Sequence, residues 1–160
     1  MKGWVVRDMG LPRDVFRWED FPEPTHAAMG RMAMDIEGLR PRREGEPACE
    51  HYAFVRVLAA ALATPDHTMA TGEYPVPIPR PYVSGQEAVG IVEDAAPSLR
   101  HLVGKRVMGF TPQPFGSFAS LTVMAPPTLW EVPESMSDEE AAGFVIPAHT
   151  AYHAVHRRGK

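Results

Sequence analysis

Pro81-Tyr82-Val83-Ser84-Gly85-Gln86-Glu87-Ala88-Val89-Gly90-Ile91-Val92-Glu93 is the stretch on which the fold turns. Gln86 to Glu93 reads as a β-strand, with Gly90 as a bulge or a point where another backbone comes close. Ahead of it, Pro75, Pro77, Pro79 and Pro81 enforce extended chain with little backbone pairing. Gly85 to Gly90 has the glycine spacing of a phosphate loop. No Lys-Ser/Thr follows, and such a loop should open a helix, so the strand reading stands.

Working outward, further short strands surround it. Ala53 to Leu62 begins with alternating character and becomes apolar throughout, which suits a strand entering a buried position. Lys105–Phe110, Phe118–Val123 and Leu129–Val132 follow, and Gly3–Arg7 with Val15–Trp18 read as an opening β-hairpin around Gly10-Leu11-Pro12. Seventeen prolines in 160 residues exclude a bundle of long helices. The pattern predicts a mainly β fold with short helices, a barrel or sandwich. One helix is predicted from Thr64 as N-cap through Pro65 and Asp66 to Gly72. Another is predicted from the capping box of Ser137 and Glu140 to Ile146, ending at Pro147, with a second helical run from Ala148 to about Arg157.

Composition narrows the function classes. Hydrophobic residues at 44% and charged residues at 22% describe a globular chain and not a disordered one. The net charge of −4 is spread evenly, which gives no case for nucleic acid or an anionic membrane surface. No apolar run reaches the ~18 residues of a membrane span, and the N-terminus lacks a secretory apolar run. Cys49 is the single cysteine; it excludes an internal disulfide and a Cys-based zinc finger, and fits a reducing cytoplasm. Cys49 reads as a plain thiol. Residues 25–50 read as a peripheral excursion. There Met29, Met32 and Met34 with Ile36 and Leu39 form an adaptable packing surface. Arg40, Arg42 and Arg43 are solvated charges balanced by Glu44 and Glu46. His149, His153 and His156 share a helix face, but the outer pair is about 10 Å apart by helix rise, too far to share one ion.

The order and spacing of several motifs resemble a known family. They are Ala59-Ala60-Ala61-Leu62 before Pro65-Asp66, Gly72-Glu73-Tyr74-Pro75, the stretch from Pro81 to Val92, Gly104-Lys105-Arg106-Val107-Met108-Gly109, Gly116-Ser117-Phe118-Ala119, Val132-Pro133, Glu140-Ala141-Ala142 and Pro147-Ala148-His149-Thr150-Ala151-Tyr152. They resemble the N-terminal, GroES-like domain of the medium-chain dehydrogenase/reductases, in the zinc-free quinone oxidoreductase branch. The resemblance implies a GroES-like, partly open β-barrel over residues 1–146, with 25–50 as an insertion. Residues 147–160 would be a connecting helix toward a Rossmann domain following residue 160, the chain being a truncated form of a two-domain protein.

The same resemblance implies function. Zinc-dependent members place Cys and His where Ala63 and Gln86 stand here, and neither residue can replace them, so no metal is expected. The expected activity is NADPH-dependent hydride transfer to a quinone or an α,β-unsaturated carbonyl, with NADPH held mostly by the Rossmann domain. Quinone reductases often carry Asn at the place of Ala63 and Tyr at the place of Thr68, both at the nicotinamide. Thr150 and Ala63 are the cofactor-side residues, and Asp66 and Gln86 belong to the substrate cleft. Tyr74 and Thr68 are the catalytic candidates, Tyr74 as a proton donor or as a ring packed over the Pro-rich loop. A homodimer of the full-length protein is implied. A stand-alone GroES-like binding module without activity is the alternative. Ala141, Phe144, Val145 and Ile146 are expected to line an apolar face.

Overall fold

The computed structural model describes residues 1–29, 34–35, 40–41 and 49–159. The readings for Met32, Ile36, Leu39, Arg42, Arg43, Glu44 and Glu46 lie outside the described residues.

The nine-residue strand β7 (Glu87–Ala95) is the spine of the larger sheet. It pairs antiparallel with β5 (Ala53–Ala60) on one side and β8 (Arg106–Phe110) on the other. With β9 (Leu121–Met124) beyond β5 and β10 (Leu129–Glu131) beyond β8, the order is β10-β8-β7-β5-β9. Gly90 marks a close approach. It stands opposite Val57, and a Cβ there would overlap the Arg56 carbonyl oxygen and come within 2.6 Å of Val55 Cγ1. The pair has two bulges, neither at Gly90: Leu58 on β5, between Val57 opposite Gly90 and Ala59 opposite Val89, and Glu93 on β7, between Val92 opposite Val55 and Asp94 opposite Phe54.

The expected hairpin is β1 (Lys2–Val6) paired with β2 (Phe16–Asp20), from Lys2 opposite Asp20 to Val6 opposite Phe16. Its turn holds one helical turn, α1 (Pro12–Val15), started by Pro12, whose missing N–H costs nothing at that position. On its other edge β1 meets β6 (Tyr82–Val83), a strand that the prolines ahead of it hid. The small sheet is sewn to the large one through Trp4. Its N–H donates to the Phe118 carbonyl (2.8 Å) and its carbonyl accepts from the Ser84 N–H (2.9 Å). Val5, Phe21, Met29, Phe54, Val83 and Val123 fill the space between. Another core, of Val55, Val92, Leu102, Val107 and Met124, lies under a 3-10 helix, Pro97–Leu102, that sequence reasoning did not anticipate.

Residues 25–50 begin with one helical turn, α2 (His26–Met29), and pair β3 (Met34–Asp35) with β4 (Arg40–Pro41). Met29 is fully buried. His26 fastens α2 to the large sheet. Its Nε2 pairs with Asp94 Oδ2 (3.0 Å) and its Nδ1 with the Tyr52 hydroxyl (2.8 Å). The His26 hydrogen bond holds the Asp94 carboxyl below its usual range.

Two helix boundaries differ from expectation. α3 spans Thr64–Thr71, but its N-cap is Ala63, not Thr64. Ala63 offers no capping oxygen, so Asp66 reaches back to the Ala63 N–H instead. At the C-terminus the Ser137–Glu140 capping box opens α4 (Asp138–Ala142), with both reciprocal bonds present. The break then comes at Gly143-Phe144, not at Pro147. α5 (Val145–Tyr152) runs through Pro147, its third residue, where the N–H has no intrahelical acceptor to lose. Wider π turns follow over His153–Arg158. His149 meets Trp130 edge to face (5.2 Å) and His156 meets Tyr152 (4.8 Å), so these two rings take separate aromatic partners. Of the expected apolar face, Ala141 and Val145 turn inward and Phe144 is exposed.

Gly90→Ala should therefore cost about 1–3 kcal/mol, the usual range for overpacking, or roughly 2–12 °C in Tm. Thermal unfolding followed by circular dichroism checks it; an unchanged Tm would mean that the β5–β7 contact is looser than described.

Candidate active-site cleft

The polar centre of the molecule is the turn from Ser84 to Glu87. Two buried carboxylates grip it. Asp66, the third residue of α3, has no exposed surface. Its Oδ2 accepts the Ala63 N–H (2.9 Å), and its Oδ1 accepts the Gly85 N–H (2.9 Å) and the Ser84 hydroxyl (3.2 Å). Burial pushes the Asp66 carboxyl above its usual range, and these hydrogen bonds pull it part of the way back. Gly85 is in the left-handed region (φ 96°), and a Cβ there would press on Phe118 N (2.7 Å) and on Ser117 Oγ. Its carbonyl accepts from the Thr111 hydroxyl (2.9 Å) and the Ser117 N–H (3.2 Å). The turn is thus held from both sides.

Gln86 is buried, and its side-chain amide donates to Met69 Sδ (3.1 Å) on α3. Glu87 is buried too. Its Oε2 accepts the Ile146 N–H (2.8 Å), and the Val145 amide also favours the charged carboxylate. Burial, with a smaller contribution from the Asp66 charge, pushes the Glu87 carboxyl up. Sequence reasoning assigned Glu87 no role. The available signal was an acidic residue at the head of an apolar strand run, where a carboxylate needs partners.

The remaining candidates fall around this turn. Thr68 is half-buried and its hydroxyl donates to the Pro65 carbonyl (3.2 Å), one turn back. The Tyr74 N–H donates to the Thr68 carbonyl (3.0 Å), and the Tyr74 ring packs on the cluster of Val6, Met69 and Tyr82. Thr150 is exposed on α5. Ala63 and Asp66 line a recess of about 380 Å³ with Leu62, Thr64 and His67. The recess shares Pro12, Phe16 and Leu62 with a broader apolar groove of about 840 Å³, bounded by Trp4, Trp18, Leu58 and Phe118. Thr68, Tyr74, Gln86 and Thr150 line neither hollow. The structure therefore joins Ala63, Asp66, Gln86, Thr68 and Tyr74 through α3, and sets Thr150 on a separate helix linked to the same turn by Glu87.

Residues 50–134, which include α3, the Ser84–Glu87 turn and all five strands of the large sheet, match the alcohol dehydrogenase GroES-like domain. This chain belongs to that family. The GroES-like domain is 33% identical over 129 residues to a phenolphthiocerol/phthiocerol polyketide synthase of Mycobacterium tuberculosis, covering 79% of the chain and 6% of the relative. It is 31% identical over 96 residues to the rat (Rattus norvegicus) quinone oxidoreductase-like protein 2, covering 59% of the chain and 27% of the relative. The quinone oxidoreductase of Thermus thermophilus, whose structure is also known in complex with NADPH, superposes with a TM-score of 0.69 at 30% identity. That match covers 98% of this chain and 41% of the other. The chain thus spans well under half the length of each of these proteins. No helix among the described residues is long and apolar enough to cross a membrane.

A zinc ion held at positions 63 and 86 does not fit this GroES-like domain. Ala63 has no donor atom, and the Gln86 amide is buried against Met69.

Asp66→Asn should destabilise the domain by about 1–3 kcal/mol, since an amide NH₂ must then face a backbone N–H. The pH dependence follows from the raised folded pKa. Stability carried by Asp66 is full below its unfolded pKa, about 3.9, and is lost as pH rises through the folded value. The penalty of the variant should therefore shrink between pH 4 and pH 7. Urea unfolding of both proteins at the two pH values measures this; a penalty that grows with pH would contradict it.

Proposed function

We propose that this GroES-like domain forms the acceptor-side wall of a zinc-free, NADPH-dependent reductase that delivers hydride to a quinone or an α,β-unsaturated carbonyl. The observation that carries the reading is the pair Ala63 and Gln86: the two places where zinc-dependent relatives hold metal are a methyl group and an inward-turned amide, beside an apolar recess. Likeness to quinone oxidoreductases, one of them solved with NADPH, supports it.

NADPH, when bound, would supply the hydride; residues 1–160 contain no glycine-rich dinucleotide fingerprint to cradle its phosphates. This chain's residues do the rest. Ala63, small and at the recess mouth, leaves room for a flat ring. Phe16 and Leu62 offer an apolar surface on which an acceptor ring can pack. Thr150, exposed on α5, would contact the nicotinamide end. Hydride addition builds negative charge on an acceptor oxygen, and without a metal that charge needs hydrogen-bond donors. Thr68 and Tyr74 carry the hydroxyls of α3 and its following loop that would serve, the Thr68 hydroxyl by turning away from the Pro65 carbonyl to which it donates. Only the phenol can also give up a proton. Asp66 acts through the backbone, holding Ala63 and the Gly85 turn in register.

Two outcomes are expected. Residues 1–160 alone should bind NADPH with a Kd weaker than ~1 μM by calorimetry, for want of a phosphate-cradling loop. In the natural polypeptide that carries this chain, Tyr74→Phe should lower kcat by ~10²-fold or more with an enoyl thioester. With a quinone, whose reduced form can take its proton from water, the loss should stay under ~10-fold. Absence of NADPH oxidation with either acceptor would overturn the reading; unchanged rates with both would remove Tyr74 from the chemistry and leave its packing role.

A further inference from the structure

α5 lacks an ordinary start. The residue before it, Phe144, is in helical conformation and gives no side-chain cap. Its first two amides, Val145 and Ile146, have no acceptor inside the helix. The Ile146 N–H donates instead to Glu87, 59 residues earlier and 1% exposed, and the Val145 amide favours the charge of the same carboxylate. A carboxylate at this end also meets the positive pole of the helix. Beyond this first turn little holds α5. Val145 is buried against Val89, Met108, Ala141 and Ala142, His149 touches Trp130, and every described residue from Thr150 onward is exposed. The helix is a lever anchored at one end.

We infer that Glu87 is the positioning residue of α5: its carboxylate fixes where the helix starts and so fixes where Thr150 stands. Thr150 lies four residues beyond Ile146, about 6 Å along the axis, so a tilt at the first turn carries Thr150 with it. The anchoring stands on the geometry alone. The consequence for cofactor contact rests on the function proposed above. The mechanism is electrostatic as well as steric. Burial disfavours the Glu87 charge, Asp66 disfavours it further, and the two amides favour it, so the anchor depends on the state of that carboxyl. Gln at 87 keeps an oxygen acceptor for one amide and loses the charge. Ala loses both.

Nuclear magnetic resonance on the isotope-labelled 160-residue chain tests this. The Glu87 carboxyl carbon and the Ile146 amide proton should titrate with one midpoint in the parent chain, and that transition should vanish in Glu87→Gln. In Glu87→Ala the Val145 and Ile146 amides should exchange about 10-fold faster or more, the scale of one lost hydrogen bond. The Thr150 amide and the Trp130 indole N–H should shift, while exchange at Val89 and Val92 in the sheet stays slow. Different midpoints for Glu87 and Ile146, or an Ile146 amide indifferent to Glu87→Ala, would overturn the assignment. If the Ala variant does not fold, the titration and the Gln variant still decide. Millimolar NADPH added to the parent chain then separates the two ideas. A shift at Thr150 that Glu87→Gln weakens supports the link to the cofactor. No shift at Thr150 alongside intact Glu87–Ile146 coupling defeats the cofactor reading alone.

Discussion

The Asp66 carboxylate gathers three donors from two distant parts of the chain: the Ala63 N–H at the head of its own helix, and the Ser84 hydroxyl and Gly85 N–H at the turn into the central strand. Almost everything near the cleft depends on that gathering. It starts α3 where the residue at the cap position has no side-chain oxygen. It holds the left-handed Gly85, whose carbonyl then receives Thr111 and Ser117. It also sets the start of β7, on which the five-stranded sheet is paired. A buried carboxylate is costly unless its oxygens are occupied, and here both are. The cost is visible in the raised pKa of the group.

The same arrangement ties together the two places where zinc-dependent members of the family hold metal. In zinc-dependent members of the family, ligands at positions 63 and 86 would tie the head of α3 to the turn before β7. Here the tie persists with other chemistry. Asp66 joins Ala63 to Gly85, and the Gln86 amide reaches Met69 on α3 (3.1 Å). With Ala and Gln at these places the two segments are therefore still fastened. In the proposed reaction the charge on a reacting oxygen would then fall to hydroxyl donors.

Much of the fold was legible because its signals are local. Gly and Pro punctuate the strands, the alternation of Ala53–Val57 announces β5, and Ser137 with Glu140 writes a capping box that the structure reproduces bond for bond. The failures are places where a distant partner overrides the local rule. Thr64 has the better capping side chain, but Asp66 reaches back from the third position and moves the start to Ala63. Pro147 has every local reason to end a helix, yet it falls in a first turn whose neighbouring amides are already taken by Glu87. β6 pairs for two residues only, after Pro81. Of the site, Ala63, Asp66 and Gln86 could be picked out, but not that Gln86 turns inward or that Glu87 reaches α5. Those are facts of tertiary contact.

Asp66 and Glu87 also act on one another. Each is buried, each is pushed toward its neutral form by that burial, and the charge of Asp66 raises Glu87 further. Between the points they hold lies only the turn of Ser84, Gly85 and Gln86. Asp66 fastens that turn to α3 and Glu87 fastens its other end to α5, so the two helices that flank the proposed reaction space share one short piece of backbone as their common reference. A displacement of the turn would move Ala63 and Thr150 together and leave their separation nearly unchanged. A change at one carboxylate would move one helix alone. The positions of Ala63 and Thr150 are therefore referred to one turn through two buried carboxyl groups, each held in place by backbone amides.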